Sequence, residues 1–285
     1  MKVKSNVPWQ VKIATKIVLS RLSMDYAFWA RLGLFRHGKM DQASYAYGVF
    51  KQHYDLVKPA NGFVSLELGP GDTLASALLG RAFGGSASYL VDAGDFAQKD
   101  LNYYQSLARF LAAKNLPAPD VESSASIEEL LDRCGSRYMP DGLSSLRMIP
   151  DESVDFIYSQ AVLEHIRESD FLETIRELRR VISKGGACSH RVDLKDHLGG
   201  ALNNLRFSAR LWESNFMSRS GFYTNRIRFS EMIEMFKKAR FDVEIVNIDR
   251  WPELPTPKAK LADKFRNMSQ DDLCVSGFTT VLRPI

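Results

Sequence analysis

The chain has 285 residues, 45% of them hydrophobic and 25% charged, with a formal net charge of +4 at pH 7. This composition excludes collagen-like, disordered and disulfide-scaffold proteins and suits one large domain, or one domain with an appended subdomain. The three cysteines, Cys134, Cys188 and Cys274, lie far apart and form no CxxC pair. An odd number leaves at least one thiol unpaired, which points to a reducing cytoplasm and away from a cysteine-built zinc site.

The charge is uneven along the chain. Residues 1–40 carry eight basic side chains (Lys2, Lys4, Lys12, Lys16, Arg21, Arg31, Arg36 and Lys39) against one acid, Asp25. Such a head is either a solvated helix face or a surface for an anionic partner, and peripheral contact with the inner membrane surface is the partner it suggests. No apolar run approaches the roughly 18 residues of a membrane-spanning helix. The N-terminus also lacks the long apolar core and small-residue cleavage site of a signal peptide. The expected location is therefore cytoplasmic.

In chain order, residues 9–22 place Val11, Ala14, Val18 and Leu22 on one helical stripe, and 24–35 and 41–57 are aromatic-rich helical segments. Together they predict an N-terminal helical cap over 1–58, ended by Pro59 and Asn61-Gly62, before a main domain over 59–285. Strands are then expected at 62–68, 87–93 and 153–159, with helices at 72–82 and 97–113 and another following 159 through about 183. The turn "SKGGA" at 183–187 leads into a strand at 188–194. A helix at 229–239 and strands at 241–248 and 273–282 complete the pattern. Strands separated by helix-length segments imply a doubly wound, mostly parallel α/β sheet. The return from 248 to 273, with prolines at 252, 255 and 257, suits an antiparallel last strand at the sheet edge.

The stretch "SLELGPGDTLASALLG" puts Gly69, Pro70 and Gly71 at the first strand-to-helix turn. Glycines there permit positive φ and close backbone approach, to a ligand or to the chain itself. A diphosphate-binding G-x-G-x-x-G is not met, because Asp72, Thr73 and Leu74 follow Gly71. An acid ahead of the turn, Glu67, can hold the ammonium of a zwitterionic ligand. Asp92, at the end of the second strand, can accept both hydroxyls of an adenosine ribose, or cap the turn at Ala93-Gly94.

The segments "VSLELGPGD", "YLVDA", "IPDESVDFIYSQAVLEHI" and "LRRVISKGGACSHRVDL" occur in an order and spacing that resembles the class I S-adenosylmethionine-dependent methyltransferases. The resemblance spans about residues 60–285, and Asp72 departs from it where that family often has a third glycine. It implies a Rossmann-like seven-stranded sheet and S-adenosyl-L-methionine as cofactor. It also implies that Glu67, Gly69, Pro70 and Gly71 line the methionine end and that Asp92 holds the ribose. Gly142 and Leu143, within 142–146, would flank the adenine, and Ser159 and Gln160 would lie near the transferred methyl. His165 belongs to its "LEHI" signature.

The expected chemistry is in-line methyl transfer, with a general base if the acceptor is an alcohol. His190, Asp193 and His197 are the candidates, on the stretch "SHRVDLKDH" that also holds Asp196. His190 and Asp193 alternate to opposite faces of a continuous strand unless a turn near Asp193 reconverges them. No metal is expected, because the spacing of these four residues matches no standard site. The aromatic insert at 203–232 offers Trp212 and Tyr223 for stacking on an acceptor, and Asn225, Arg226 and Arg228 for its polar groups. The same residues would serve a helical subdomain packing its own aromatics. The combined pattern resembles methyltransferases encoded with bacterial surface-polysaccharide genes, which implies O-methylation of a sugar, a glycan or another hydroxylated small molecule. N- or C-methylation of a small molecule or lipid, and a non-catalytic adenosyl-ligand-binding protein, are the alternatives. A nucleic-acid acceptor is not expected, since "SQAV" stands where amino-methylating enzymes carry N/D-P-P-Y/F.

Overall fold

Seven strands form one sheet: β1 (Val64–Leu68), β2 (Ala87–Val91), β3 (Ser136–Met139), β4 (Val154–Gln160), β5 (Ile182–Asp193), β6 (Phe241–Arg250) and β7 (Val275–Pro284). Their order is β3-β2-β1-β4-β5-β7-β6, with β7 antiparallel to both of its neighbours. The order reverses between β1 and β4, so the carboxyl ends of those strands flank the crevice where doubly wound sheets bind ligands. The computed structural model describes residues 10, 11, 13, 40–218 and 220–285. Apart from residues 10, 11 and 13, the expected helices at 9–22 and 24–35, and with them most of the basic head, fall outside these residues.

The main helices are α1 (Ala43–Val57), α2 (Ala75–Ala82), α3 (Leu101–Ala112), α4 (Ile127–Arg133), α5 (Leu143–Arg147), α6 (Glu168–Val181) and α7 (Phe229–Lys238). Most bury one stripe, while α2 is buried on nearly every side. In α1 the stripe is Ala46, Val49, Phe50 and His53, a spacing that keeps one helix face inward. The helix stops where Lys58 turns left-handed (φ 51°) and its N–H reaches the Tyr54 carbonyl, just before Pro59. In α6 the stripe is Phe171, Thr174, Ile175, Leu178 and Val181, with acids in the first turn and Arg179 and Arg180 in the last, matched to the helix dipole. One core, between the sheet and α1 to α4, joins Phe50, Leu78, Leu79, Leu107 and Leu130 to Phe156 and Tyr158. The other packs α5 to α7 on Ile157, Cys188, Val192 and Phe278. Helix α1 is thus part of the domain core. The three cysteines are buried and free.

Four expectations need correction. The last strand is not at the edge: β7 lies between β5 and β6. β3 was not foreseen as a strand; four residues long and half exposed, "SRYM" carries no apolar run. The "KGG" segment is not a turn ahead of the fifth strand but part of β5. It bulges where the register against β4 shifts between Val154 and Phe156, and a Cβ at Gly186 would lie 2.7 Å from the Asp155 carbonyl oxygen. Finally, "VLEHI" opens no helix: Leu163–His165 is a single 3₁₀ turn, and α6 begins only at Glu168.

Candidate active site

The first strand-to-helix turn is built around two acids. Glu67, next to last in β1, is 3% exposed, with its carboxylate accepting from the Ser76 hydroxyl of α2. Burial pushes this carboxyl up to about 7, against opposing hydrogen bonds from Ser76 and Tyr158 and with help from the charge of Asp92. Asp92 follows β2 and is also buried. Its Oδ2 accepts from Gly71 N at 2.8 Å and its Oδ1 from Ala93 N at 2.7 Å, while its carbonyl accepts from Gly142 N at 2.7 Å. Gly69 and Gly71 both have positive φ, 75° and 64°. A Cβ at Gly69 would stand 2.5 Å from Cγ2 of Val162, so here the glycine is demanded by the chain after β4 pressing on the turn. Gly142 (φ 56°) caps α5 beside Ala93, with Leu143 half-buried next to it. The fold thus draws Glu67, Gly69, Gly71, Asp92 and Gly142 into one cluster from three separate segments, with Pro70 buried between the two turn glycines.

At the end of β4, Ser159 Oγ lies 2.7 Å from His190 Nδ1, and both residues are fully buried. Burial is the main reason the His190 imidazole is held neutral, its pKa lowered to about 3. Its Nε2 has no hydrogen-bond partner among the described residues. β5 runs straight through Asp193, so no turn reconverges His190 with Asp193. Asp193 Oδ1 instead accepts from Lys195 N at 3.0 Å. Gln160 lies on the opposite face, 3.1 Å from Nε2 of His53, whose Nδ1 meets Ser189 Oγ at 2.7 Å. His53, on α1, is a neighbour of the site that its own position in the sequence did not reveal.

His165 and His197 come together. Their rings are 4.8 Å apart in an edge-to-face arrangement. His165 is exposed and His197 half-buried. His165 Nδ1 donates to the Tyr223 carbonyl at 2.9 Å. Beside them Glu164 is 1% exposed, and its Oε1 accepts from Asp193 N at 3.3 Å. Burial pushes the Glu164 carboxyl up to about 8. Asp196 is a loop organiser: its carboxylate accepts from the backbone N–H groups of Leu198, Gly199, Ala201 and Asn203.

Residues 66–189 match the family model described as methyltransferase domain. That segment, less than half of the chain, is similar to methyltransferase domains. Its cofactor is S-adenosylmethionine. No curated protein matches the chain. Among solved structures it is similar to an S-adenosylmethionine-dependent methyltransferase of Methanosarcina mazei, at 15% identity over 83% of this chain and 97% of that one, with a TM-score of 0.48. A counterpart from Mesorhizobium loti has 15% identity, coverages of 82% and 96%, and a TM-score of 0.45. Phosphoethanolamine N-methyltransferase 2 of Haemonchus contortus, solved with phosphomonomethylethanolamine and S-adenosylhomocysteine, has 15% identity, coverages of 82% and 52%, and a TM-score of 0.45. These are likenesses only; the fold rests on the strand order itself.

The cluster at the first turn of the matched segment brings together donors and acceptors that suit this cofactor. It offers one carboxyl for an ammonium, a second for a diol, and two glycines without Cβ atoms between them. The insert after β5 behaves otherwise. Trp212 is fully buried among Leu198, Met217, Phe222 and Tyr223, its indole N–H donating to the Thr224 carbonyl at 2.7 Å. The Tyr223 hydroxyl donates to Glu213 at 2.7 Å. Asn225 donates to the carbonyls of Leu163 (2.8 Å) and Ile166 (2.9 Å). Arg226 donates to the Phe207 carbonyl, and Arg228 to those of Leu194, Leu273 and Val275. All five side chains expected to meet an acceptor are buried and directed into the insert and the strand ends. Among them, Asn225 holds the 3₁₀ turn that carries Glu164 and His165.

Proposed function

We propose that the chain is an O-methyltransferase for a hydroxyl of a sugar, a glycan or a comparably polar small molecule. The observation that carries this reading is the pairing of His165 with His197 at the carboxyl ends of β4 and β5, beside Asp193. A cavity of about 570 Å³ is compatible with it. Gln52, Gln160, Arg191, Asn247, Asp249 and Thr279 can meet hydroxyls there, while Leu56 and Val246 give it an apolar side.

The cofactor supplies a methyl group made electrophilic by a sulfonium. The residues of the chain do the rest. Glu67 holds the ammonium, Asp92 the ribose hydroxyls, and Gly142 and Leu143 border the adenine, while the Gly69-Pro70-Gly71 backbone lies along the methionine end. Ser159 and Gln160 mark the level of the methyl, and Gln160 also lines the cavity. The acceptor proton leaves toward the His165/His197 pair, His197 being the base in place of the enclosed His190. A base so placed contributes about 10²–10⁴ in rate.

The test is transfer of a labelled methyl group to a panel of sugars, glycans and hydroxylated or amino small molecules. His197→Ala is expected to lower transfer to a hydroxyl by about 10²–10⁴ with S-adenosylhomocysteine affinity unchanged. Full activity in that variant would move the acceptor to nitrogen. Cofactor binding without turnover on any acceptor would make the chain a binding protein.

A further inference from the structure

We infer that Glu164, His165 and His197 form a binding site for a first-row divalent transition-metal ion. A carboxylate oxygen of Glu164 and a ring nitrogen from each histidine lie within 4.8 Å of one another. Donors about 2.1 Å from a shared tetrahedral ion stand about 3.4 Å apart, so small side-chain rotations close the three onto one centre. The sequence spacing concealed this set, because two ligands come from the 3₁₀ turn after β4 and the third from the loop after β5.

Two features of the site point to a cation. Glu164 is buried, forms no ion pair among the described residues, and has one oxygen, Oε2, with no hydrogen-bond partner. A buried carboxylate oxygen left in that state is costly unless a cation or water completes it. His165 directs Nδ1 to the Tyr223 carbonyl, which leaves the lone pair on Nε2; this is the outer-shell arrangement that orients metal-binding imidazoles. The turn itself is fastened before any ion arrives, by Asn225 through Leu163 O and Ile166 O and by the Asn225 N–H to Glu164 O at 2.7 Å. Two imidazoles and a carboxylate suit manganese, iron, cobalt, nickel or zinc better than magnesium or calcium.

Three protein ligands leave coordination positions open, and the exposed His165 places them toward solvent. With the ion bound, His197 is coordinated and no longer a free base; an oxygen ligand there, water or the acceptor hydroxyl, would instead lose its proton more readily on coordination. That role rests on the methyl-transfer reading; the site itself does not.

The experiment titrates tag-free, chelator-stripped protein with Co²⁺, recording visible d–d absorption and bound metal by equilibrium dialysis. Calorimetric binding of S-adenosylhomocysteine is measured on the same samples. The expected result is one Co²⁺ per chain, with absorption bands that disappear in both His165→Ala and His197→Ala. Those variants should lose more affinity than the about 10–100-fold typical of an outer-shell change while keeping cofactor affinity. Absence of stoichiometric Co²⁺ in a chain that binds S-adenosylhomocysteine would overturn the site and leave the cofactor reading intact. So would a cobalt spectrum that survives both substitutions. Stoichiometric cobalt without cofactor binding would uphold the site and remove the reading of the glycine turn.

Discussion

Glu67 carries a proton where a surface carboxyl would not. With its pKa at about 7, it is neutral on the acid side of that value in the free fold, because burial penalises the charge. The ammonium of the cofactor reverses the preference, so binding at pH 6 should release close to one proton. Calorimetry in two buffers of different ionisation enthalpy measures that release directly. Affinity should fall up to about tenfold per pH unit below 7, and Glu67→Gln should abolish both the release and the pH dependence. Binding at pH 6 with no proton released would contradict the assignment of Glu67 to the ammonium. Gly69 makes a second prediction at this scale. An alanine there meets Val162 at a φ of 75°, so Gly69→Ala should lower stability by about 1–3 kcal/mol in denaturant melts.

The element that organises the acceptor side is the 3₁₀ turn Leu163–His165, held by the insert. Asn225→Ala would strip the carbonyls of Leu163 and Ile166 of their buried donor. We expect a loss of about 2–4 kcal/mol in unfolding free energy, and weakened cobalt binding at Glu164, His165 and His197. A change within 0.5 kcal/mol would show that the turn stands without the insert. This dependence also marks where the sequence became hard to read. The glycine turn, its flanking acids and most strands were legible because each is local: an apolar run, then an acid or a glycine at its end. The insert was not, since arginine, asparagine and tryptophan have the same chemistry whether they face a ligand or a backbone carbonyl. Only the fold shows that Arg228 meets Leu194 O, Leu273 O and Val275 O. His190 was misleading for a related reason. A histidine in a strand gives no sign of how deeply its neighbours will enclose it, and here β4 and β7 flank it on either side. The pair His165 and His197 lies on two loops whose meeting depends on the β4–β5 register, and neither loop encodes the other.

Across the whole molecule, four buried titratable groups pull stability in opposite directions with pH. His53 and His190 are held neutral, at about 4 and about 3, chiefly by burial. Their contribution is complete above the ordinary histidine value and is lost as pH falls through the range between that value and the folded ones. Glu67 and Glu164, raised to about 7 and about 8, bind protons more tightly folded than unfolded, so their contribution is lost as pH rises toward those values. The two trends balance between about pH 5 and 6, and the metal-free, cofactor-free chain should melt highest there. A melting temperature that climbs steadily to pH 8 would show that these groups do not govern stability. The charge asymmetry of residues 1–40 acts at this scale too, and makes contact with an anionic membrane surface our proposal for that head. Among the described residues no helix is long and apolar enough to cross a membrane. The central claim is that the turn between β1 and α2 holds an adenosyl amino acid between two carboxyls. Its most direct test is calorimetric titration of wild-type chain and Asp92→Ala with S-adenosylhomocysteine at pH 7.5. Single-site binding, weakened at least about tenfold when the ribose-facing carboxylate is removed, is the predicted outcome. No heat of binding in the wild-type chain, or equal affinity in the two proteins, would contradict it.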